Sequence, residues 1–234
     1  MMVGSLEGQV AIVTGADGGL GTPVTKALLA AGATVVGIAR SISVGPAHDG
    51  HFYPVSANLI DREEVASLVA RLAEQFGKID ILVHVMGGFA GGASVAETDD
   101  ATWQKMIDIN LNAAFYVLRA VIPVMRRGEH GRIIAIGSRQ AVQPAPGVAA
   151  YAASKAALVS LVQTAALENK DKNILANVIL PGTMDTPANR AAMPKADFAK
   201  WVKTSHVAEL VLLLAGEAGD AITGAAIPEY GIDG

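Results

Sequence analysis

The sequence predicts an α/β fold in which a parallel sheet of about seven strands is covered by helices on both faces. Short β-branched runs alternate with segments of helical spacing along most of the chain, and such crossovers favour parallel strands. A glycine-rich turn follows the first strand. Hydrophobic residues make up 51% of the chain and charged residues 17%, so a sizeable core is expected, and we predict a single domain over residues 1–234.

Six of the strands can be placed from short runs of apolar and β-branched residues. The predicted strands cover residues 10–14, 34–38, 52–55, 79–85, 132–136 and 174–180. The stretch around Pro46 and His48, between the second and third strands, is predicted to be a loop.

Helical spacing of apolar residues predicts four helices between these strands. They cover residues 20–31, 61–76, 100–127 and 149–169. The first helix has Pro23 in its first turn and ends at Gly32. Asp61 is predicted to cap the second helix, with Glu64 as its capping-box partner and Gly77 at its end.

Composition and charge exclude several function classes. Lys and Arg total 18 against 22 Asp and Glu, a net charge of -4, and no basic stripe is available for nucleic acid. No cysteine is present, so redox chemistry has to come from a cofactor. The five histidines show no metal-ligand spacing, and we assign no metal. Without a signal peptide or membrane span, a cytoplasmic location is expected.

The turn between the first strand and the first helix reads TGADGGLG over residues 14–21. At this place backbone N–H groups and the helix dipole can hold a pyrophosphate. The alternative is a tight connection without a ligand. The residues predicted to bind a dinucleotide are Gly15, Asp17, Gly18, Gly19, Leu20 and Gly21.

Tyr151 and Lys155 are four residues apart on a predicted helix, so their side chains share one face. A tyrosine that donates a proton at neutral pH needs its pKa lowered by roughly three units, or about 4 kcal/mol. We expect the Lys155 ammonium to supply a lowering of that order. Ser138 follows a strand, at the sheet edge where ligands bind, and can hold a substrate oxygen. Taken singly, each of these residues also has an ordinary structural explanation.

These motifs resemble the short-chain dehydrogenase/reductase family. The resemblance rests on T-G-x-x-x-G-x-G, on Y-x-x-x-K, on Ser138 and on Asn110 in NLNAAF, and it runs from Leu6 to Gly224. It implies a Rossmann-like fold and hydride transfer between NAD(P)(H) and a small carbonyl or alcohol. It also implies that Tyr151 and Lys155 contact the cofactor and that Asn110 organises a water linking the lysine to solvent.

The resemblance extends to further segments. PGTMDT over residues 181–186 matches the family's P-G-x-x-x-T, which implies that Pro181, Gly182, Thr183 and Thr186 contact the nicotinamide side of the cofactor. Residues 182–205 do not fit the strand–helix alternation, and we predict a substrate lid over residues 183–205. The predicted helices 100–127 and 149–169 pair between subunits in relatives, which implies a homodimer or homotetramer.

Three departures from the family pattern are informative. An acidic residue near the adenine is replaced by Asn58, before Leu59, and an amide can still bond adenine. The segment HVMG that begins at His84 keeps only Gly87 of the family's NNAG, so we expect side-chain ties between strands to be lost there. The second strand ends at Arg40 without an acid, which favours NADP(H) over NAD(H) because arginine can pair with a 2′-phosphate.

Two segments more closely resemble the dihydropteridine reductase branch of this family: GGFAGG at residues 87–92, and the lid over residues 185–201. That branch generally lacks the serine and asparagine found here as Ser138 and Asn110. Carbonyl reduction therefore ranks first and pterin reduction second. A dinucleotide sensor without turnover ranks third, because the tyrosine and lysine are kept. The predicted substrate-pocket residues are Phe89, Gln140, Met184 and Trp201, with Val142 and Met193 as further walls.

Overall fold

A sheet of seven parallel strands forms the centre of the molecule. The computed structural model describes residues 5–42 and 50–232, so the loop predicted around Pro46 and His48 lies outside the described residues, as does the N-terminus before Ser5. The strands are β1 (Val10–Thr14), β2 (Thr34–Ala39), β3 (Phe52–Ser56), β4 (Ile81–His84), β5 (Gly131–Ile136), β6 (Ile174–Pro181), β7 (Met184–Asp185), β8 (Val202–Lys203) and β9 (Ala226–Glu229). The sheet order is β3-β2-β1-β4-β5-β6-β9, and β7 pairs with β8 separately. The predicted parallel sheet is confirmed.

Helices cover both faces of this sheet. They are α1 (Gly21–Ala30), α2 (Arg62–Phe76), α3 (Asp100–Ile107), α4 (Ala113–Gly128), α5 (Ala149–Asn169), α6 (Pro187–Ala192) and α7 (Thr204–Ala215). One core cluster joins the sheet to α2, α4 and α5, and it includes Leu68, Val121 and Leu158. A second cluster joins the opposite face to α1 and α7 through Leu28 and Val211. The doubly wound arrangement follows from burial of both faces.

Helix α2 begins at the predicted cap, Asp61, but the Glu64 side chain bonds a residue other than Asp61. The Asp61 carboxylate accepts hydrogen bonds from the N–H groups of Glu63 and Glu64, and Gly77 ends the helix at φ 74°. The predicted capping box is wrong, because the Asp61 N–H donates to the carbonyl of Asn58 instead. Glu64 accepts a bond of 3.1 Å from the Asn58 N–H.

The predicted single helix over residues 100–127 is present and contains one irregular turn. A π-helical segment, Asp108–Asn112, separates α3 from α4. It carries Asn110, whose side chain is fully buried and bonded to neighbouring elements. A π-turn places one extra residue in the helix, and such turns are frequent at functional sites. The predicted helix is therefore confirmed as one helical stretch, and only its π-turn, which depends on tertiary hydrogen bonds of Asn110, was not predicted from local spacing.

The stretch Asp100–Gly128 is also long and apolar enough to cross a membrane, judged by length and composition alone. In the structure α4 packs its apolar face on the sheet, burying residues such as Val117, Val121 and Met125. A core helix of this kind passes the same test, so the stretch is weak evidence for a membrane.

Candidate active site

The glycine-rich turn lies at the carboxyl edge of the sheet, between β1 and α1. The N–H groups of Gly15 and Ala16 donate to the Ile38 carbonyl at 2.7 and 3.2 Å and hold the turn against β2. Gly15 has φ 66°, and a Cβ on Gly21 would lie 1.9 Å from the Gly15 carbonyl oxygen. Only glycine fits these two positions.

Helix α1 begins with no side chain capping it at Leu20. Among residues 5–42 and 50–232, the N–H groups of Gly19, Leu20 and Gly21 have no backbone acceptor. Unpaired N–H groups at a helix start bind phosphate groups readily. The turn therefore fits the pyrophosphate of a dinucleotide: the N–H groups of Gly19, Leu20 and Gly21 are available to it, whereas those of Gly15 and Gly18 already donate to backbone carbonyls.

The P-G-x-x-x-T segment packs against this turn. A Cβ on Gly19 would lie 3.0 Å from the Thr186 side chain, and Thr186 accepts a bond from the Asn189 N–H as the cap of α6. Gly182 donates to the Glu229 carbonyl at 2.9 Å, and the Thr183 carbonyl accepts from Val202. The structure thus brings Thr186, in the segment that follows β6, beside the glycine turn, and the cofactor contacts of Pro181, Gly182, Thr183 and Thr186 stay predictions.

Tyr151 and Ser138 lie close enough for their hydroxyl groups to interact. Burial raises the pKa of Tyr151 above its usual value, and the interaction with Ser138 acts against that rise. The sequence-based expectation that Lys155 lowers the pKa of Tyr151 is therefore wrong for the protein alone. Loss of water around the phenol outweighs the stabilising effect of Ser138 on the phenolate.

Lys155 is buried, with 4% of its surface exposed. Its Nζ donates a hydrogen bond of 2.8 Å to the Ile136 carbonyl, at the end of β5. Burial lowers the pKa of Lys155 to about 8. The ammonium is thus close to losing its charge near neutral pH. Its hydrogen bond is to the backbone of β5.

Asn110 joins the π-helical segment to two neighbouring elements. Its Nδ2 donates to the Gly88 carbonyl and to Ser154 Oγ, both at 3.1 Å. Its Oδ1 accepts from the Gly88 N–H at 2.9 Å. Ser154 Oγ in turn donates to the Tyr151 carbonyl at 2.7 Å. Sequence reasoning missed Ser154, although its position three residues after Tyr151 places it on the same helix face.

Gly87 leaves room where Asn110 and Lys155 approach each other. A Cβ on Gly87 would lie 2.8 Å from Asn110 Oδ1 and 3.1 Å from Lys155 Nζ. Both side chains therefore border one small volume beside the backbone of the loop after β4. The four predicted catalytic residues, Ser138, Tyr151, Lys155 and Asn110, are brought together at the carboxyl edge of the sheet.

The loop after β4 keeps a side-chain tie to β1. Thr14 Oγ1 lies 3.1 Å from His84 Nδ1 and accepts a bond of 3.1 Å from the Met86 N–H. The expectation that such ties are lost at His84 is wrong, because the imidazole reaches Thr14 across the parallel ladder. His84 is a residue of the site that sequence reasoning did not assign.

The other predicted cofactor residues have distinct surroundings. Arg40 is exposed at the end of β2, and Asp17 is exposed in the turn. Leu59 is a core residue with 3% exposure, so only its backbone can face a ligand. The Asn58 side chain accepts a bond of 3.4 Å from Ile60 N–H, which is a local turn, and its adenine contact stays a prediction.

The predicted pocket residues are only partly gathered. The Phe89 ring packs edge-on to Tyr151 at 5.0 Å between centroids, and 66% of Phe89 is exposed. Gln140 Oε1 accepts a bond of 2.7 Å from the Ala145 N–H in the loop after β5. Met184 packs against the core cluster beneath α1 and α7, and the Trp201 and Phe198 rings pack with a tilt of 53°. The roles of Gln140, Met184 and Trp201 stay predictions.

The parallel sheet, the glycine turn, and Tyr151 with the buried Lys155 on one helix define a Rossmann-type oxidoreductase. Comparison with known proteins agrees. A family model described as short chain dehydrogenase matches residues 9–197. The chain belongs to the short-chain dehydrogenase/reductase family, whose members bind nicotinamide dinucleotides.

Named relatives and solved structures cover almost the whole chain. The 3-oxoacyl-[acyl-carrier-protein] reductase FabG of Thermotoga maritima is 30% identical over 98% of this chain and 98% of its own length. The short-chain dehydrogenase/reductase olcF of Penicillium canescens is 38% identical over 79% and 72%. The crystal structure of gox2181 has a TM-score of 0.90 at 29% identity, covering 97% and 95%. The Pseudomonas aeruginosa RhlG/NADP active-site complex has a TM-score of 0.85 at 29% identity, covering 96% and 95%.

Proposed function

We propose that this enzyme transfers a hydride between NADP(H) and the carbonyl or alcohol group of a small molecule. The observation that carries the proposal is the gathering of four polar side chains at the carboxyl edge of the sheet: Tyr151, Ser138, Lys155 and Asn110. Three of them, Ser138, Lys155 and Asn110, are buried, and an apolar core would not bury three polar side chains in one place without a chemical use, because each carries a cost of removal from water.

Each of the four side chains has a separate role in the reaction at the substrate oxygen. Ser138 holds that oxygen, and Tyr151 donates a proton to it during reduction. Because burial raises the pKa of Tyr151, the phenol is protonated at neutral pH and ready to act as the acid. Lys155 stabilises the phenolate that forms, and the Asn110 network holds α5 in place. A bound nicotinamide dinucleotide supplies the hydride when the carbonyl is reduced.

The preference for NADP(H) rests on Arg40. Its side chain is exposed at the end of β2, the edge at which the adenine ribose binds in this fold. An arginine pairs well with a 2′-phosphate, and a carboxylate there would instead accept bonds from a free 2′-hydroxyl. A structural relative, RhlG, is described as an NADP complex, which supports the same choice.

The substrate enters beside Phe89 and under residues 183–205, which we propose as a lid. Within that segment Arg190 pairs with Asp185 and stacks on the Phe198 ring, 4.6 Å from its centroid. The charges of Arg190 and Asp185 are therefore paired with each other within the segment. A small, largely apolar substrate suits this surrounding better than a charged one.

Pterin reduction is a second candidate, because the exposed Phe89 ring beside Tyr151 offers a flat surface to a fused ring. The resemblance to the dihydropteridine reductase branch stays a prediction. A sensor without turnover is the third candidate, and it is disfavoured by the retained Tyr151 and Lys155. We further propose a cytoplasmic homodimer or homotetramer, for which light scattering gives the oligomeric state.

The test follows the absorbance of NADPH and NADH with a panel of small ketones, aldehydes and a quinonoid dihydropterin. We expect turnover with NADPH and at least one carbonyl, at a higher kcat/KM than with NADH. Turnover of the pterin alone would select the second candidate. Dinucleotide binding without turnover of any substrate would select the sensor.

A further inference from the structure

His84 is a buried polar residue to which the proposed reaction gives no role. It is the last residue of β4, has 1% of its surface exposed, and approaches Thr14 through Nδ1. Its other ring nitrogen, Nε2, is buried without a hydrogen-bond partner among the described residues. A buried ring nitrogen left unpaired costs about 1–3 kcal/mol, so a partner outside the polypeptide is expected.

The bonds around Thr14 assign the proton of the imidazole to Nε2. Thr14 Oγ1 already accepts from the Met86 N–H, so its own hydroxyl proton is free to donate to His84 Nδ1 at 3.1 Å. A neutral ring that accepts at Nδ1 carries its proton at Nε2. In the opposite tautomer Nδ1–H would donate to Thr14 Oγ1, and the Thr14 hydroxyl proton would lose His84 as its acceptor. Burial, aided by the charge of Lys155, lowers the pKa of His84 to about 3, which keeps the ring neutral.

His84 and Lys155 face the same side of the sheet. Side chains alternate along a strand, and Leu82, two residues earlier, belongs to the core cluster beneath α4 and α5. His84 therefore points toward α5, the helix from which Lys155 enters. In the ladder His84 lies opposite Ala135, and Lys155 Nζ bonds the carbonyl of the next residue, Ile136. Lys155 is the charged group that acts on His84.

We propose that His84 is a positioning residue for Lys155, and that its Nε2–H and the Lys155 ammonium bind one buried water between them. The proposal deepens the proposed function and rests on it for the role of Lys155. A water oxygen has two lone pairs and can accept one bond from each donor. The water gives the ammonium a partner besides the Ile136 carbonyl, and it holds the amine toward Asn110 and the space beside Gly87.

Two substitutions of His84 distinguish the role of Nδ1 from that of Nε2. His84→Asn places an amide near the position of Nδ1 and keeps a partner for Thr14, but it has no group at Nε2. His84→Gln reaches the position of Nε2 with an amide N–H and gives up the bond to Thr14. A merely structural role for the Thr14 tie predicts a nearly wild-type His84→Asn and a damaged His84→Gln. The proposal predicts the opposite order.

For His84→Asn we expect kcat to fall about tenfold with an unchanged KM for NADPH. The alkaline limb of kcat/KM shifts to lower pH, because Lys155 loses the water that solvates its charge. His84→Gln restores the wild-type pH profile and most of kcat. A wild-type rate and pH profile in His84→Asn, or a His84→Gln no better than His84→Asn, would overturn the proposal.

A readout without turnover uses wild-type protein labelled with ¹⁵N-histidine. We expect the His84 resonances to show a neutral ring protonated at Nε2 from pH 6 to pH 8. The Nε2 proton should also show a cross-relaxation peak to a long-lived water. A proton on Nδ1, or no water contact, would overturn the proposal even if the variants fail to fold. Failure of the wild-type protein to reduce any carbonyl would instead count against the proposed function and leave this measurement valid.

Discussion

The buried ammonium of Lys155 donates a hydrogen bond of 2.8 Å to the backbone carbonyl of Ile136, two residues before Ser138. Burial lowers the pKa of Lys155 to about 8, so the charged form is less stable inside the protein than in water. The site therefore holds a charge that the fold alone would not favour, a condition common where chemistry rather than stability selects a residue.

Replacing this lysine should stabilise the fold and remove the activity. We expect Lys155→Met to raise the free energy of unfolding by about 1–3 kcal/mol at pH 7, since a buried charge with one backbone partner gives way to an apolar chain. Turnover of NADPH should be lost. Urea unfolding and a steady-state assay give the two values. Lys26→Met, at an exposed position of α1, is the control and should change stability by less than about 0.5 kcal/mol.

The pH dependence of that difference has a definite sign. Between pH 8 and 10.5 the unfolded chain keeps the Lys155 proton while the folded protein loses it, so wild-type stability gains from this group as the pH rises. The advantage of Lys155→Met should shrink over that window. A lower stability of the variant at pH 7, or an advantage that grows with pH, would contradict this explanation.

His84 should contribute to acid sensitivity. Below pH 6.5 the unfolded chain takes up a proton at His84, whereas the folded protein does so only near pH 3. This group therefore lowers wild-type stability as the pH falls, by up to about 5 kcal/mol at the acid end. Urea midpoints of His84→Asn should fall less steeply than those of wild type between pH 6.5 and 4. The exposed His51→Asn is the control and should keep the wild-type slope, and equal slopes in all three proteins would refute the assignment.

The sequence predicts what local patterns encode, and the rest depends on tertiary contacts. The glycine turn and the spacing of Tyr151 and Lys155 are backbone and helix-face patterns, so they could be read directly. The raised pKa of Tyr151 comes from burial, which spacing does not report. The π-helical segment depends on bonds from Asn110 to Gly88 and Ser154, residues distant in sequence.

The C-terminal elements escaped prediction for related reasons. Helix α7 is apolar almost throughout, as in VAELVLLLA, so no polar face marks its period. Strand β9 has four residues, one of them Pro228, and pairs with β6 at the edge of the sheet. Helix α7 therefore lacks the helical spacing of apolar residues, and β9 lacks the β-branched run, by which the earlier helices and strands were predicted.

Arg40 should determine the cofactor preference. We expect Arg40→Ser to raise the KM for NADPH by about 10- to 100-fold, the loss of one charge-assisted contact with a phosphate, and to leave the KM for NADH within about twofold. Steady-state kinetics with both cofactors measure the change. Arg71→Ser removes an equally exposed arginine from α2 and should alter neither value. An unchanged NADPH preference in Arg40→Ser would place the 2′-phosphate elsewhere.

Gly87 should tolerate no side chain. The Cβ of Gly87→Ala would lie 2.8 Å from Asn110 Oδ1 and 3.1 Å from Lys155 Nζ, so one of these buried groups has to move. We expect kcat to fall by about 100-fold and stability by about 1–3 kcal/mol. Gly128→Ala, where no atom lies within 4 Å of an added Cβ, is the matched control. Activity close to wild type in Gly87→Ala would show that Asn110 and Lys155 need no fixed separation.

The proposed reaction depends most directly on the phenol of Tyr151, and the decisive measurement is the single-turnover rate of Tyr151→Phe with saturating NADPH and an accepted carbonyl. We expect the rate to fall by at least about 10³-fold while NADPH binds with nearly wild-type affinity, because only the proton donor is removed. Tyr53→Phe, on β3, should keep the wild-type rate. Turnover by Tyr151→Phe within a few fold of wild type would contradict the assignment of Tyr151 as the acid.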